Sequence, residues 1–140
     1  MRCNGVIQRK LALLDQQILR LDESLRGVPV ERFRDDWVLR SMAERALQVA
    51  AEIVIDVCER ILALSDAGPA ATAAEAVDKL VQLRVLKSSR PYVDIVRFRN
   101  LIVHQYEQVD PALLYDIARN HLGDFRQFRA EIDRLESAET

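Results

Sequence analysis

The chain has 140 residues, a length at which a single domain is the commonest arrangement. Apolar residues make up 49% of it against four glycines and four prolines, which supports a packed core and leaves little material for long loops. With 20 basic and 22 acidic side chains the net charge is −2, which excludes a global attraction to nucleic acid or to anionic membranes and restricts polyanion binding to a local patch.

Met1 to Lys10 contains no apolar run of signal-peptide length, and no stretch approaches the ~20 apolar residues of a membrane span. The expectation is a cytoplasmic protein. Cys3 and Cys58 are too few for a disulfide framework and match no zinc spacing, so free thiols are expected.

Ile7, Leu11, Leu14, Ile18, Leu21 and Leu25 alternate steps of four and three, the seam of a first helix that Gly27 and Pro29 stop. Ordinary core packing explains this seam, and a contribution to dimer packing is not needed. The stretch Val30 to Arg34 is short and mixed. Asp35 or Asp36 then caps a second, longest helix carrying Leu39, Met42, Ala46, Val49, Ile53, Val57, Ile61 and Leu64, closed by Ser65-Asp66-Ala67-Gly68-Pro69. Thr72 and Glu75 have capping-box spacing and open a third helix to about Leu86. Pro91 suits the first turn of a fourth, running to about His104. Asp110-Pro111 reads as N-cap and first residue of the last, whose apolar side includes Leu113, Leu114, Ile117, Leu122, Phe125, Phe128, Ile132 and Leu135. No stretch alternates with period two, so the fold class is all-α: one domain over residues 1–140, an antiparallel bundle of about five helices.

The fourth helix holds the anomaly. On a wheel of 100° per residue, Asp94, Arg97, Asn100 and His104 fall within about 120° of one another, while Tyr92, Ile95, Val96, Ile102 and Val103 fall on the opposite side. Arg99 lands in the middle of that apolar side. A guanidinium there needs a carboxylate or an opening to a polar site, and Glu52 or Asp56 on the long helix can supply the first. The two readings are compatible, because a carboxylate can hold the arginine while its other donors face a phosphate. Charge points the same way: between Val81 and Asn100, Arg84, Lys87, Arg90, Arg97 and Arg99 stand against Asp94 alone. Taken singly, His104 reads as a surface or capping residue and Tyr106 as an amphipathic core residue. There is no HExxH, no paired cysteines, no P-loop and no dinucleotide fingerprint, so no metal and no cofactor is expected. What remains is metal-free work on phosphate with imidazole and guanidinium.

Arg99-Asn100-Leu101-Ile102-Val103-His104-Gln105-Tyr106 resembles the Arg-x4-His-x-Tyr signature of HEPN-domain proteins of the HepT type, toxins paired with a minimal nucleotidyltransferase antitoxin. The segment Arg45-Ala46-Leu47-Gln48-Val49-Ala50-Ala51-Glu52 through Asp56, the approach Val96-Arg97-Phe98-Arg99-Asn100 and the following Val109-Asp110-Pro111 extend the resemblance over nearly the whole chain. It implies a HEPN-like homodimer with the Arg-x4-His elements of both copies facing across a cleft, and a metal-independent endoribonuclease acting on RNA. Arg99 would stabilise the phosphate in the transition state, His104 would be acid or base, and Asn100 would support them. Tyr106 would accept AMP from the antitoxin. Apart from the resemblance, Glu52 and Asp56 would be orienting carboxylates, and Arg90 and Arg97 are candidate RNA contacts. The competing expectation is a non-catalytic nucleotide- or RNA-binding subunit of the nucleotidyltransferase. A third is a purely structural bundle in which Arg99 only completes an ion pair.

Overall fold

The computed structural model describes residues 5–104 and 109–139, and among them seven helices follow one another: α1 Gly5–Leu25, α2 Val30–Asp35, α3 Trp37–Leu64, α4 Ala73–Gln82, α5 Tyr92–His104, α6 Pro111–Asn120 and α7 Leu122–Glu139. All described regular structure is helical, as the absence of period-two patterning requires. The number exceeds five for two local reasons. Val30 to Asp35 forms a short helix of its own, with Phe33 as its buried residue. The last apolar stretch breaks at His121, where Asn120, His121 and Gly123 are weak helix formers.

α3 lies at the centre and touches each of the other six helices. Its middle, from Ala46 to Cys58, has no exposed residue: Ala46, Ala50 and Ala51, with Ala43 before them, let neighbours come close, while Ile53, Val54, Val57, Ile61 and Leu62 fill the space between them. The six seam residues of α1 are all buried, from Ile7 at 0% to Ile18 at 3%, chiefly where α1 crosses α3 and α7. That seam is spent inside the chain and leaves nothing for a second copy.

Caps sit where the side chains demand. Asp36 accepts from the N–H groups of Val38 and Leu39, both at 3.1 Å. Thr72 accepts from Glu75 N–H at 3.1 Å, and the Glu75 carboxylate reaches back to Ala71 N–H at 2.9 Å. Asp110 accepts from Ala112 N–H at 3.0 Å with Pro111 behind it. One helix end differs from expectation: α4 stops at Gln82, not near Leu86. Arg84 adopts the left-handed conformation (φ 62°), its N–H bonds Val81 O at 3.0 Å, and Val85 N–H bonds Leu80 O at 2.9 Å. This is the Schellman pattern, with an arginine in the place usually taken by glycine. Turning there buries Leu86 to 1%. Pro91 likewise falls just before α5 instead of inside it; its carbonyl receives Asp94 N–H at 3.1 Å and Ile95 N–H at 3.3 Å.

No described helix is long and apolar enough to cross a membrane.

Candidate functional site

α5 is anchored at its first turn. Tyr92 is fully buried, meets Phe128 edge-on at 5.5 Å, and donates its hydroxyl to Glu131 on α7. Glu131 is 3% exposed, and its other carboxylate oxygen takes Lys87 N–H at 2.9 Å with Arg134 at 3.9 Å. Ile95, Val96 and Phe98 continue the buried face. With that face turned to the core, the angular position of every other α5 side chain is set.

Arg99 is therefore delivered towards α3. Its side chain is 22% exposed, with Nη1 at 3.4 Å from Glu52 Oε2 and Nε donating to Asn100 Oδ1 at 2.9 Å. Glu52 is the carboxylate that meets it. Asp56, one turn further along α3, lines the same cleft but is held by Lys10 at 2.5 Å and Arg60 at 3.6 Å. The two bonds to Arg99 engage Nε and Nη1, so the Nη2 end of the guanidinium fork is the one available to an anion. The cleft, of about 420 Å³, lies between α1, α3 and α5 and also receives Arg45.

His104 is the last residue of α5 and is exposed. Being five residues on, it points about 140° away from Arg99 around the helix, on the side of Asn100. A single chain thus presents the arginine and the imidazole to different surroundings. Tyr106 lies outside the described residues. Val103, placed by the wheel on the apolar side, is 52% exposed, because the final turn of α5 runs past the core.

Arg97 sits two residues, hence about 200°, from Arg99. It pairs with Asp94 at 3.3 Å and opens on another hollow, of about 490 Å³, between α5, α6 and α7. Ile95, Phe98, Leu101, Ile117 and Phe125 line that hollow, and His121 at its rim stands 3.4 Å from both Asp116 and Asp124. Arg90 is exposed in the connection before α5, nine residues from Arg99. So Arg99, Asn100, Glu52 and Asp56 come together, whereas Arg90, Arg97 and His104 lie elsewhere on the chain's surface. Glu131 and Arg45 escaped sequence reasoning. Glu131 had a signal: it stands three residues after Phe128, in a core slot of α7. Arg45 had none, since only the approach of α5 makes its flank of α3 a cleft.

Among the described residues no group of three or more His, Cys, Asp or Glu side chains could hold a metal ion.

A family model described as ribonuclease HepT-like matches residues 14–132. The mRNA nuclease HepT of Shewanella oneidensis is 25% identical over 129 residues, covering 89% of this chain and 94% of that protein. The solved structure of a tri-AMPylated HEPN toxin from Shewanella oneidensis, in complex with an MNT antitoxin, matches with a TM-score of 0.85 at 24% identity, over 94% of this chain and 99% of that one. A crystal structure of a toxin–antitoxin with AMP-PNP also gives 0.85, at 23% identity and the same coverage. The fold is that of the HEPN toxins.

Proposed function

The chain belongs to the ribonuclease HepT-like family, and from that footing we propose that it is the toxin half of a toxin–antitoxin pair, a metal-independent endoribonuclease built around Arg99 and His104. The observation that carries this reading is the guanidinium of Arg99, fixed by Glu52 and Asn100 yet left with one end of its fork open to a cleft.

Chemistry follows from the residue types. An imidazole takes the proton from a ribose 2′-OH as the 2′-oxygen bonds to phosphorus. The bond from phosphorus to the 5′-oxygen breaks, and that oxygen leaves with a proton from a second imidazole. The products are a 2′,3′-cyclic phosphate and a free 5′-OH. Arg99 offsets charge gathering on the non-bridging oxygens. Two proton transfers and one histidine per chain, with that histidine turned away from Arg99, argue for a homodimer in which each copy supplies what the other lacks. The nucleotidyltransferase partner acts by adding AMP to Tyr106, two residues from His104, placing bulk and negative charge beside the imidazole. The protein works in the cytoplasm, where its RNA is.

The test is cleavage of single-stranded RNA and tRNA in EDTA, with His104→Ala in parallel. Cutting by the parent alone supports the reading; equal cutting by His104→Ala sinks it. The outward turn of His104 favours one other reading, a nucleotide- or RNA-binding subunit of the nucleotidyltransferase that does not cut. A folded parent with Tyr106 unmodified that binds RNA and leaves it intact would select it.

A further inference from the structure

The cleft at Arg99 does not end there. A second hollow, of about 700 Å³, opens between the end of α3, the connection to α4 and α5, and Arg99 and Glu59 line both. The two halves differ in chemistry. The first is walled by charge, from Lys10, Arg45, Glu52 and Asp56. The second is walled mainly by apolar side chains, Leu62, Ala63, Ala70, Ala71 and Ala73, with Asp66 and Thr72 as further polar lining.

In the charged half the ions are nearly all committed. Lys10 and Arg60 hold Asp56, and Arg99 holds Glu52. Arg45 and Glu59 are the exceptions: both are exposed and neither has an ion-pair partner among the described residues, which makes Arg45 the one uncommitted cation of the cleft. It stands seven residues before Glu52, hence on the same flank of α3 and about 10 Å along the helix axis. That spacing suits a phosphate near the one Arg99 would hold, not the same one. On the other side, an apolar hollow beside a phosphate site can take the face of a splayed base of single-stranded RNA, held by burial and by the plane of Arg99 instead of by aromatic stacking.

We propose that these hollows form one groove for single-stranded RNA, in which Arg45 holds a phosphate flanking the scissile one and the alanine-walled hollow receives a base. This rests on the ribonuclease reading above for its polarity about Arg99, but its test does not need cleavage. Binding of a short 2′-O-methyl RNA, which has no free 2′-OH to attack, is followed by fluorescence anisotropy over a series of salt concentrations. Arg45→Ala is expected to bind about tenfold more weakly, and to shrink the slope of log affinity against log salt by about 0.7, the loss of one single-strand phosphate contact. Arg45→Lys should restore the slope. Ala71→Phe, at an exposed position, should fill the hollow and weaken binding about tenfold with the salt slope unchanged. Binding at the parent's affinity by either Arg45→Ala or Ala71→Phe overturns the proposal. So does an Arg45→Ala protein whose mass by light scattering drops while its salt slope stays, because that flank of α3 would then be a contact between copies. A parent that binds but does not cut would end the catalytic reading and leave the groove standing.

Discussion

Glu131 meets α5 at its first turn and is 3% exposed; Glu52 meets it two turns later with its side chain 44% exposed. The first carboxylate is saturated, by the Tyr92 hydroxyl, by Lys87 N–H and by the edge of Arg134. The second makes one long contact, 3.4 Å, to a guanidinium that has other donors to spare. A buried acceptor with all its partners in place locks the backbone around it, since removing it strands several donors at once. A half-exposed pair in a cleft holds an orientation at little cost and yields readily to a better anion. The same helix is thus built rigidly at one end and left exchangeable at the other.

The largest effect should fall on the exchangeable end and on rate alone. Arg99→Ala and His104→Ala should each lower RNA cleavage by about 10²–10⁴-fold with melting temperatures within a few degrees of the parent. A large fall in melting temperature for Arg99→Ala would mean that its pairing with Glu52 is structural after all. At the rigid end the pattern reverses: Glu131→Ala should cost about 3 kcal/mol in urea unfolding, with cleavage by the folded fraction nearly unchanged. Arg84→Gly, at the left-handed turn leading to Lys87, should gain about 0.5–1 kcal/mol by relieving backbone strain, read as a shift in urea midpoint. Glu52→Gln should change stability by less than about 1 kcal/mol, and should slow cleavage only several-fold if its role is to aim Arg99; no change in rate would remove that role.

Cys58, one residue before Glu59 on α3, should make stability depend on pH in the basic range. It is fully buried, and burial, reinforced by the charge of Glu59, pushes its thiol up. An unfolded thiol ionises near its ordinary pKa of about 8.5 while the folded one keeps its proton. Its contribution to stability is therefore complete below that pH and declines as pH rises above it. Comparing urea midpoints from about pH 8 to about pH 10, Cys58→Ala should lose less stability than the parent.

Helix ends show how far sequence carried. Thr72 with Glu75 and Asp110 with Pro111 could be read directly, and Asp36 as one of two neighbouring candidates with Asp35, because a cap depends on a side chain and a backbone group two or three residues apart. The end of α4 could not, because Arg84 carries no sign of its left-handed turn; the burial of Leu86 and the bond from Lys87 to Glu131 hold the chain there, and both come from α7 and the core. Among the site residues, the misplaced polarity of Arg99 was legible from the periodicity of α5. Its separation from Arg97 followed from the same periodicity, but the hollow on which Arg97 opens did not, since α6 and α7 supply the rest of its lining.

By itself, then, the sequence determined the all-α class, the seams of α1 and α3, the caps and the Arg99 to His104 motif, all of which rest on spacings of a few residues along one helix. Tertiary structure alone decided that Glu52 and not Asp56 meets Arg99, that Glu131 is buried, and that Arg45 shares a cleft with Arg99. Those facts depend on how two helices distant in sequence approach each other, and the angle and depth of that approach are set by the whole core rather than by any local stretch of it.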